Sequence, residues 1–198
     1  MTNQEKILNI VENNGGFITS KEIVKNNINK VFLSRLVKNG NLKRISTGYY
    51  GLPNYIQDDF YRIQSKSKKA IYSLTTALYF HDLSDRTPLV LDITVPYDYN
   101  GSLRNDKNVV LNFVKRELLD LGVIEITSPF GMKIKVYDIE RTICDIIKNR
   151  KKVDAEILSK ALKEYSYSKN KNLNKLMKYA KAMNVEKKVR EYMEVLLS

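Results

Sequence analysis

The 198 residues predict a protein of the α+β class. Three observations carry that prediction. Residues 19–52 read as helix, turn, helix and β-hairpin; the middle of the chain holds four runs of strand-forming residues; residues 148–198 show only helical spacing. The expected organisation is an N-terminal domain over residues 1–53, a connecting segment over 54–69, and a C-terminal domain over 70–198. That last domain is predicted as a mixed sheet with helices and a basic helical bundle behind it.

Each element has a local reason. A first helix is predicted over residues 3–13, with Ile7, Leu8, Ile10 and Val11 on its buried side, and Asn13-Asn14-Gly15-Gly16 breaks it. Phe17-Ile18-Thr19 is extended and expected to pair with the hairpin that follows. Thr19 and Glu22 have capping-box spacing, so a short helix begins at Ser20 and frays at Asn26-Asn27. The next helix is predicted over 29–38 and is closed by Asn39-Gly40. Its apolar residues Phe32, Leu33, Leu36 and Val37 share one face, leaving Lys30, Ser34, Arg35 and Lys38 on the other. Two short strands, 42–45 and 49–52, flank the turn Ser46-Thr47-Gly48. A basic helix followed directly by a basic hairpin is the outline of a winged helix-turn-helix, which reads the major groove and grips the flanking backbone.

Pro53-Asn54 closes that unit. Residues 55–63 are predicted as a connecting helix, and Ser65-Lys66-Ser67-Lys68-Lys69 as a polar boundary. Residues 70–80 carry helical spacing, with Ile71, Leu74, Ala77, Leu78 and Phe80 apolar. Strands are expected over 89–95 and 108–114, joined by a loop around Asn100-Gly101. A further hairpin, 123–127 with 132–137, turns at Pro129-Phe130-Gly131. A helix follows over 139–148. In the tail Asp154 caps a helix with Ile157, Leu158, Ala161, Leu162 and Tyr165 on its apolar side, broken over 166–172. Leu173, Leu176, Met177 and Ala180 mark the next helix, and Val185, Val189, Tyr192, Met193, Leu196 and Leu197 the last.

Composition narrows the function classes. The net charge is +12 with a sequence pI near 9.6, which favours a polyanionic partner such as nucleic acid. The charge is uneven: net +4 over residues 1–64, zero over 65–147 and +8 over 148–198. Cys144 is the single cysteine, so no internal disulfide and no multi-cysteine zinc site is expected. No apolar run has transmembrane length and the first residues lack a signal-peptide pattern, so a soluble, cytoplasmic protein without membrane partners is expected.

Three stretches resemble the AbiE-type abortive-infection antitoxins of bacteria. Leu36-Val37-Lys38-Asn39-Gly40-Asn41-Leu42-Lys43-Arg44-Ile45-Ser46-Thr47-Gly48-Tyr49-Tyr50 is similar to that family's helix-then-wing segment. Tyr72-Ser73-Leu74-Thr75-Thr76-Ala77-Leu78-Tyr79-Phe80-His81-Asp82-Leu83-Ser84-Asp85 is similar to the helix opening its second domain, with Asp82 where glycine is more usual. Val136-Tyr137-Asp138-Ile139-Glu140-Arg141-Thr142-Ile143-Cys144-Asp145 is similar to its strand-to-helix Glu-Arg-Thr segment. The resemblance implies a bifunctional protein of a type IV toxin–antitoxin system in phage defence. Its winged domain would bind inverted repeats in its own promoter and repress the operon. Its C-terminal domain would counteract a nucleotidyltransferase-like toxin without a stable complex. The residues of antitoxicity are not assigned by it.

The residues themselves nominate two surfaces. For DNA they are Ser20, Lys21, Lys30, Ser34, Arg35, Lys38, Lys43, Arg44, Ser46 and Thr47. Arg35 is the first choice for a base contact, because a guanidinium donates two parallel hydrogen bonds to guanine. The hairpin residues suit phosphates or the minor groove. A second basic surface, for DNA or an acidic partner, comprises Lys148, Arg150, Lys151 and Lys152 with Lys171, Lys175, Lys178 and Lys181; the alternative is an ordinary solvated face. No cofactor, metal or catalytic residue is nominated. Asp92, Glu125, Asp138, Glu140 and Asp145 are the candidates for metal-dependent phosphoryl chemistry, but neither Glu125 nor Glu140 is followed by the lysine of a Glu-x-Lys motif, and no phosphate loop is present. Asp138 and Asp145 are expected to cap or pair with Arg141, His81 to form a structural hydrogen bond, and Cys144 to be a core thiol. A regulator without an antitoxin role, a nucleic-acid-processing enzyme and a protein-binding adaptor are the competing readings.

Overall fold

The computed structural model describes residues 1–56 and 58–197. Met1–Asp58 and Pro129–Met132 form one compact unit; Asp59–Ser128 and Lys133–Ser198 form the other.

The first unit begins with α1 (Asn3–Asn13), whose start is a reciprocal capping box. Glu5 N–H donates to Thr2 Oγ1 at 3.3 Å, and Thr2 N–H donates to Glu5 Oε2 at 2.8 Å. Then come β1 (Phe17–Thr19), α2 (Ser20–Lys25), α3 (Val31–Lys38), β2 (Lys43–Ser46) and β3 (Tyr49–Gly51). The Thr19–Glu22 capping box opens α2 as the spacing predicts. The third helix starts at Val31 rather than at residue 29. Asn29 Oδ1 accepts from Val31 N–H at 2.9 Å, so Asn29 forms a turn ahead of the helix, and Lys30 is the N-cap. It ends where Gly40 takes φ +75°, with Asn41 N–H donating to Leu36 O at 2.9 Å. The three strands form an antiparallel sheet in the order β1-β3-β2, with Ile18 opposite Tyr50 and Arg44 opposite Tyr50. Ile7, Val11, Ile18, Ile23, Leu33 and Leu36 are buried together between helices and sheet. Each such side chain contributes about 1.5–3 kcal/mol by leaving water. Phe17 and Tyr49 stack at 5.1 Å, with Tyr55 beside them.

Tyr55 is therefore part of an aromatic cluster, not of the connecting helix predicted over 55–63. That helix, α4, spans Asp59–Ser65, and Gln57 lies outside the described residues. In the second unit α4 is followed by β4 (Ile71–Tyr72), α5 (Leu74–Phe80), β5 (Leu91–Pro96), a 3-10 turn (Ser102–Asn105), β6 (Val109–Val114), α6 (Arg116–Leu119), β7 (Val123–Thr127) and β8 (Lys133–Tyr137). Four helices close the chain: α7 (Ile139–Lys148), α8 (Ala155–Tyr167), α9 (Leu173–Ala182) and α10 (Glu186–Leu197).

Residues 70–80 are not one helix. Ile71 and Tyr72 pair with Thr94 and Ile93, and the chain turns at Ser73-Leu74, where Leu74 takes φ +45°. The five strands run in the order β6-β5-β4-β8-β7; β5 is parallel to β6 and β4 to β8, while the other pairs are antiparallel. One apolar cluster gathers Ile63, Tyr72, Ile93, Val95 and Val136. The other joins α5 and α7 to the tail helices through Leu78, Ile143, Ile146, Leu162, Leu176 and Val189. The result is an α+β fold with two sheets.

Candidate nucleic-acid interface

The positions nominated for DNA lie on three elements of the first unit. Ser20 and Lys21 open α2, where Ser20 N–H donates to Gly48 O at 2.8 Å and so ties the helix start to the hairpin turn. Ser20 is half-buried there and Lys21 is exposed. Lys30 precedes α3 and is exposed. Ser34, Arg35 and Lys38 lie within one helical turn of each other and are all exposed, opposite the buried Leu33 and Leu36. The Arg35 guanidinium lies 5.4 Å from the centre of the Phe32 ring, a cation–π contact that steadies it without burying it.

On the hairpin, Lys43, Arg44, Ser46 and Thr47 are exposed. Lys43 Nζ donates to Pro53 O at 2.8 Å, so that side chain is tethered to the segment just after β3. Ile45 is the extra residue of a bulge, because Arg44 sits opposite Tyr50 and Ser46 opposite Tyr49. Among the described residues, none of Lys21, Lys30, Arg35, Lys38 and Arg44 forms an ion pair with a carboxylate. Those five cations are thus not neutralised by a neighbouring carboxylate among the described residues.

Pattern reasoning missed Val31. It lies one turn before Ser34 and Arg35 and is 49% exposed, an apolar side chain on an otherwise polar face. Its spacing to Ser34, Arg35 and Lys38 already places it on that face, but an apolar residue among cations is easily passed over.

The second basic surface changes on inspection. Lys148, Arg150, Lys151 and Lys152 are exposed, as are Lys178 and Lys181. Lys175 is not a free member. Its Nζ lies 3.1 Å from Asp138 Oδ2 and 3.2 Å from Glu140 Oε2, clamping α9 to the first turn of α7. Burial opposes its charge, but the two carboxylates outweigh that and raise its pKa. Lys171 is half-buried, with Nζ donating to Ser168 O at 3.2 Å.

Four of the five acidic candidates for metal chemistry have other partners. Asp138 caps α7, its Oδ1 accepting from Arg141 N–H at 2.8 Å and its Oδ2 accepting from Tyr179 Oη at 3.1 Å. Arg141 is fully buried. Its Nε donates to Asp145 Oδ2 at 3.0 Å, its Nη1 to Leu118 O and Leu121 O, and its guanidinium lies 4.2 Å from the Tyr137 ring centre. Asp92 accepts from Thr75 and Asn112. Glu125 is exposed on β7. No group of three or more His, Cys, Asp or Glu able to hold a metal occurs among the described residues. His81 Nε2 lies 2.7 Å from Tyr137 O, and burial lowers its pKa. Cys144 is buried in the helical core, which pushes its thiol up to about 12. No described helix is long and apolar enough to cross a membrane.

No family model and no characterised protein matches this chain by sequence. In three dimensions it is similar to a solved structure, that of the RV2827C protein from Mycobacterium tuberculosis. The two share a TM-score of 0.63 at 11% identity, over 100% of this chain and 81% of the other. The likeness is one of fold.

Proposed function

We propose that residues 1–53 form a winged helix-turn-helix that binds double-stranded DNA. The observation that carries this reading is the exposed, uncompensated run Ser34, Arg35 and Lys38 on α3, next in sequence to the basic hairpin Lys43–Thr47. In this reading α3 enters the major groove, Arg35 contacts a base edge, Val31 meets a thymine methyl, and Lys30, Lys38 and Arg44 neutralise phosphates. The resemblance to AbiE-type antitoxins extends the proposal to a cytoplasmic autorepressor. It binds inverted repeats in its own promoter, and its second unit counteracts a nucleotidyltransferase-like toxin of a type IV toxin–antitoxin operon without a stable complex. The second unit's buried Asp138–Arg141–Asp145 arrangement supports a structural rather than catalytic role for the Glu-Arg-Thr segment.

The test is a mobility shift with DNA from upstream of the gene. A specific shift, competed by the same duplex and not by a scrambled one, is expected. No shift at low salt would refute DNA binding and leave the protein-adaptor reading. Co-expression with a nucleotidyltransferase-like product of the neighbouring gene tests the antitoxin half, which fails if growth is not rescued.

A further inference from the structure

The second unit holds a cleft that the DNA reading does not use. It lies at the carboxyl ends of the parallel strands β5 and β6, where Pro96 is opposite Val114. Its far wall is made by the last turns of α7 and α9. Ligands of open α/β sheets favour that location, because loops diverge there and leave a crevice. Its volume is about 480 Å³, within the range of small-molecule sites.

The lining is chemically asymmetric. On the sheet side stand Tyr97 and Phe113, 66% and 37% exposed, with rings parallel to within 8° and centres 6.5 Å apart. Arg104 lies 5.4 Å from the Phe113 ring centre. Two large aromatic side chains kept in water side by side are a stacking platform for a planar ligand. On the helix side stand Lys148 and Lys152, four residues apart, with Lys115 at the end of β6. Lys148 Nζ rests on Met183 O at a long 3.4 Å, a bond readily exchanged for an anionic oxygen. Among the described residues Lys115 pairs with Glu117 at 3.6 Å, an exposed carboxylate at the edge of the same cleft. Asp145 contributes the floor. Its side chain is 7% exposed, and its Oδ2 accepts from Arg141 Nε at 3.0 Å.

We propose that this cleft binds a mononucleotide, a nucleoside phosphate. The base stacks on Tyr97 and Phe113, and the phosphates take Lys148, Lys152 and Lys115. A duplex fits poorly, because its bases are already stacked on each other and its outer phosphates offer nothing to an aromatic wall. Two of the lysines nominated for DNA or an acidic partner, Lys148 and Lys152, thus line the same cleft as an aromatic pair.

Isothermal titration of the full-length protein with the four ribonucleoside triphosphates, inorganic tripolyphosphate and an unphosphorylated nucleoside tests the proposal. At least one triphosphate should bind saturably below about 1 mM, and tripolyphosphate and nucleoside should each bind about tenfold or more weaker. Tyr97→Ala should cost about tenfold, the usual scale for one lost stacking contact. Lys152→Ala should weaken binding in a salt-dependent way. Both positions are exposed, so the fold survives, which circular dichroism checks. Absence of saturable binding, tripolyphosphate binding as tightly as nucleotide, indifference to Tyr97→Ala, or binding of a short oligonucleotide but of no mononucleotide would each overturn it.

Discussion

Arg35→Ala separates reading a sequence from attraction to charge. The side chain is exposed on α3, against the Phe32 ring at 5.4 Å. An exposed cation–π contact is worth about 0.5–1 kcal/mol. Arginine and alanine are both good helix formers, so the variant should remain folded with at most that loss. On operator DNA the lost guanidinium–guanine pair should cost about 1–3 kcal/mol, or about 5- to 150-fold in Kd. Lys38→Ala, one turn on, is the control. A phosphate contact weakens all duplexes alike and lowers the salt slope by about 1. Fluorescence anisotropy with operator and scrambled duplexes, each over a series of salt concentrations, reads both quantities. Equal losses on the two duplexes after Arg35→Ala, or none, would show that α3 is not the reading element.

Four further outcomes are expected. Arg141→Met strands the buried Asp145 carboxylate and two carbonyls, and should cost about 3–5 kcal/mol in urea unfolding; a loss under about 1 kcal/mol would mean that water replaces the guanidinium. His81 is the only histidine and its folded pKa lies below its ordinary value, so its stabilising term is present above about pH 6.5 and fades as acid charges the unfolded chain first. The melting temperature of the natural protein should therefore fall more between about pH 7 and pH 5.5 than that of His81→Asn. Gly51→Ala would bring a Cβ within 2.7 Å of Ile45 Cδ1 and 2.9 Å of Tyr55 Cδ1, an overpacking of about 1–3 kcal/mol seen as faster amide exchange in the hairpin. Cys144, buried with its thiol pushed up to about 12, should resist iodoacetamide at about pH 8 until denaturant opens the helical core.

Elements set by neighbours in sequence were legible. Thr19 and Glu22 start α2, Asn39-Gly40 stops α3, and Asp138 caps α7 over its predicted residues 139–148. What depended on distant partners was not. Strand β4 has two residues, too few for an alternating pattern, and exists because Thr94, Ile93 and Val136 are there to pair with it. Lys175 has the spacing of a solvated lysine, but the carboxylates that claim it lie on α7, more than 30 residues earlier. Tyr97 and Phe113 are ordinary strand-end aromatics until the parallel register of β5 and β6 sets them ring to ring. At the proposed interface Arg35 was legible from helical spacing, and the same spacing carried Val31, whose exposure only the fold shows.

The hairpin of the first unit turns on Thr47 and Gly48 alone, and its turn is held by Ser20. Two residues extend at most about 7 Å, comparable to the depth of a minor groove, and half of any such reach is spent in coming back. In the DNA-binding reading proposed above, so short a turn would meet the sugar–phosphate rim before the groove floor, and α3 would carry most of any base preference. Grafting a longer turn would then add grip before it added discrimination.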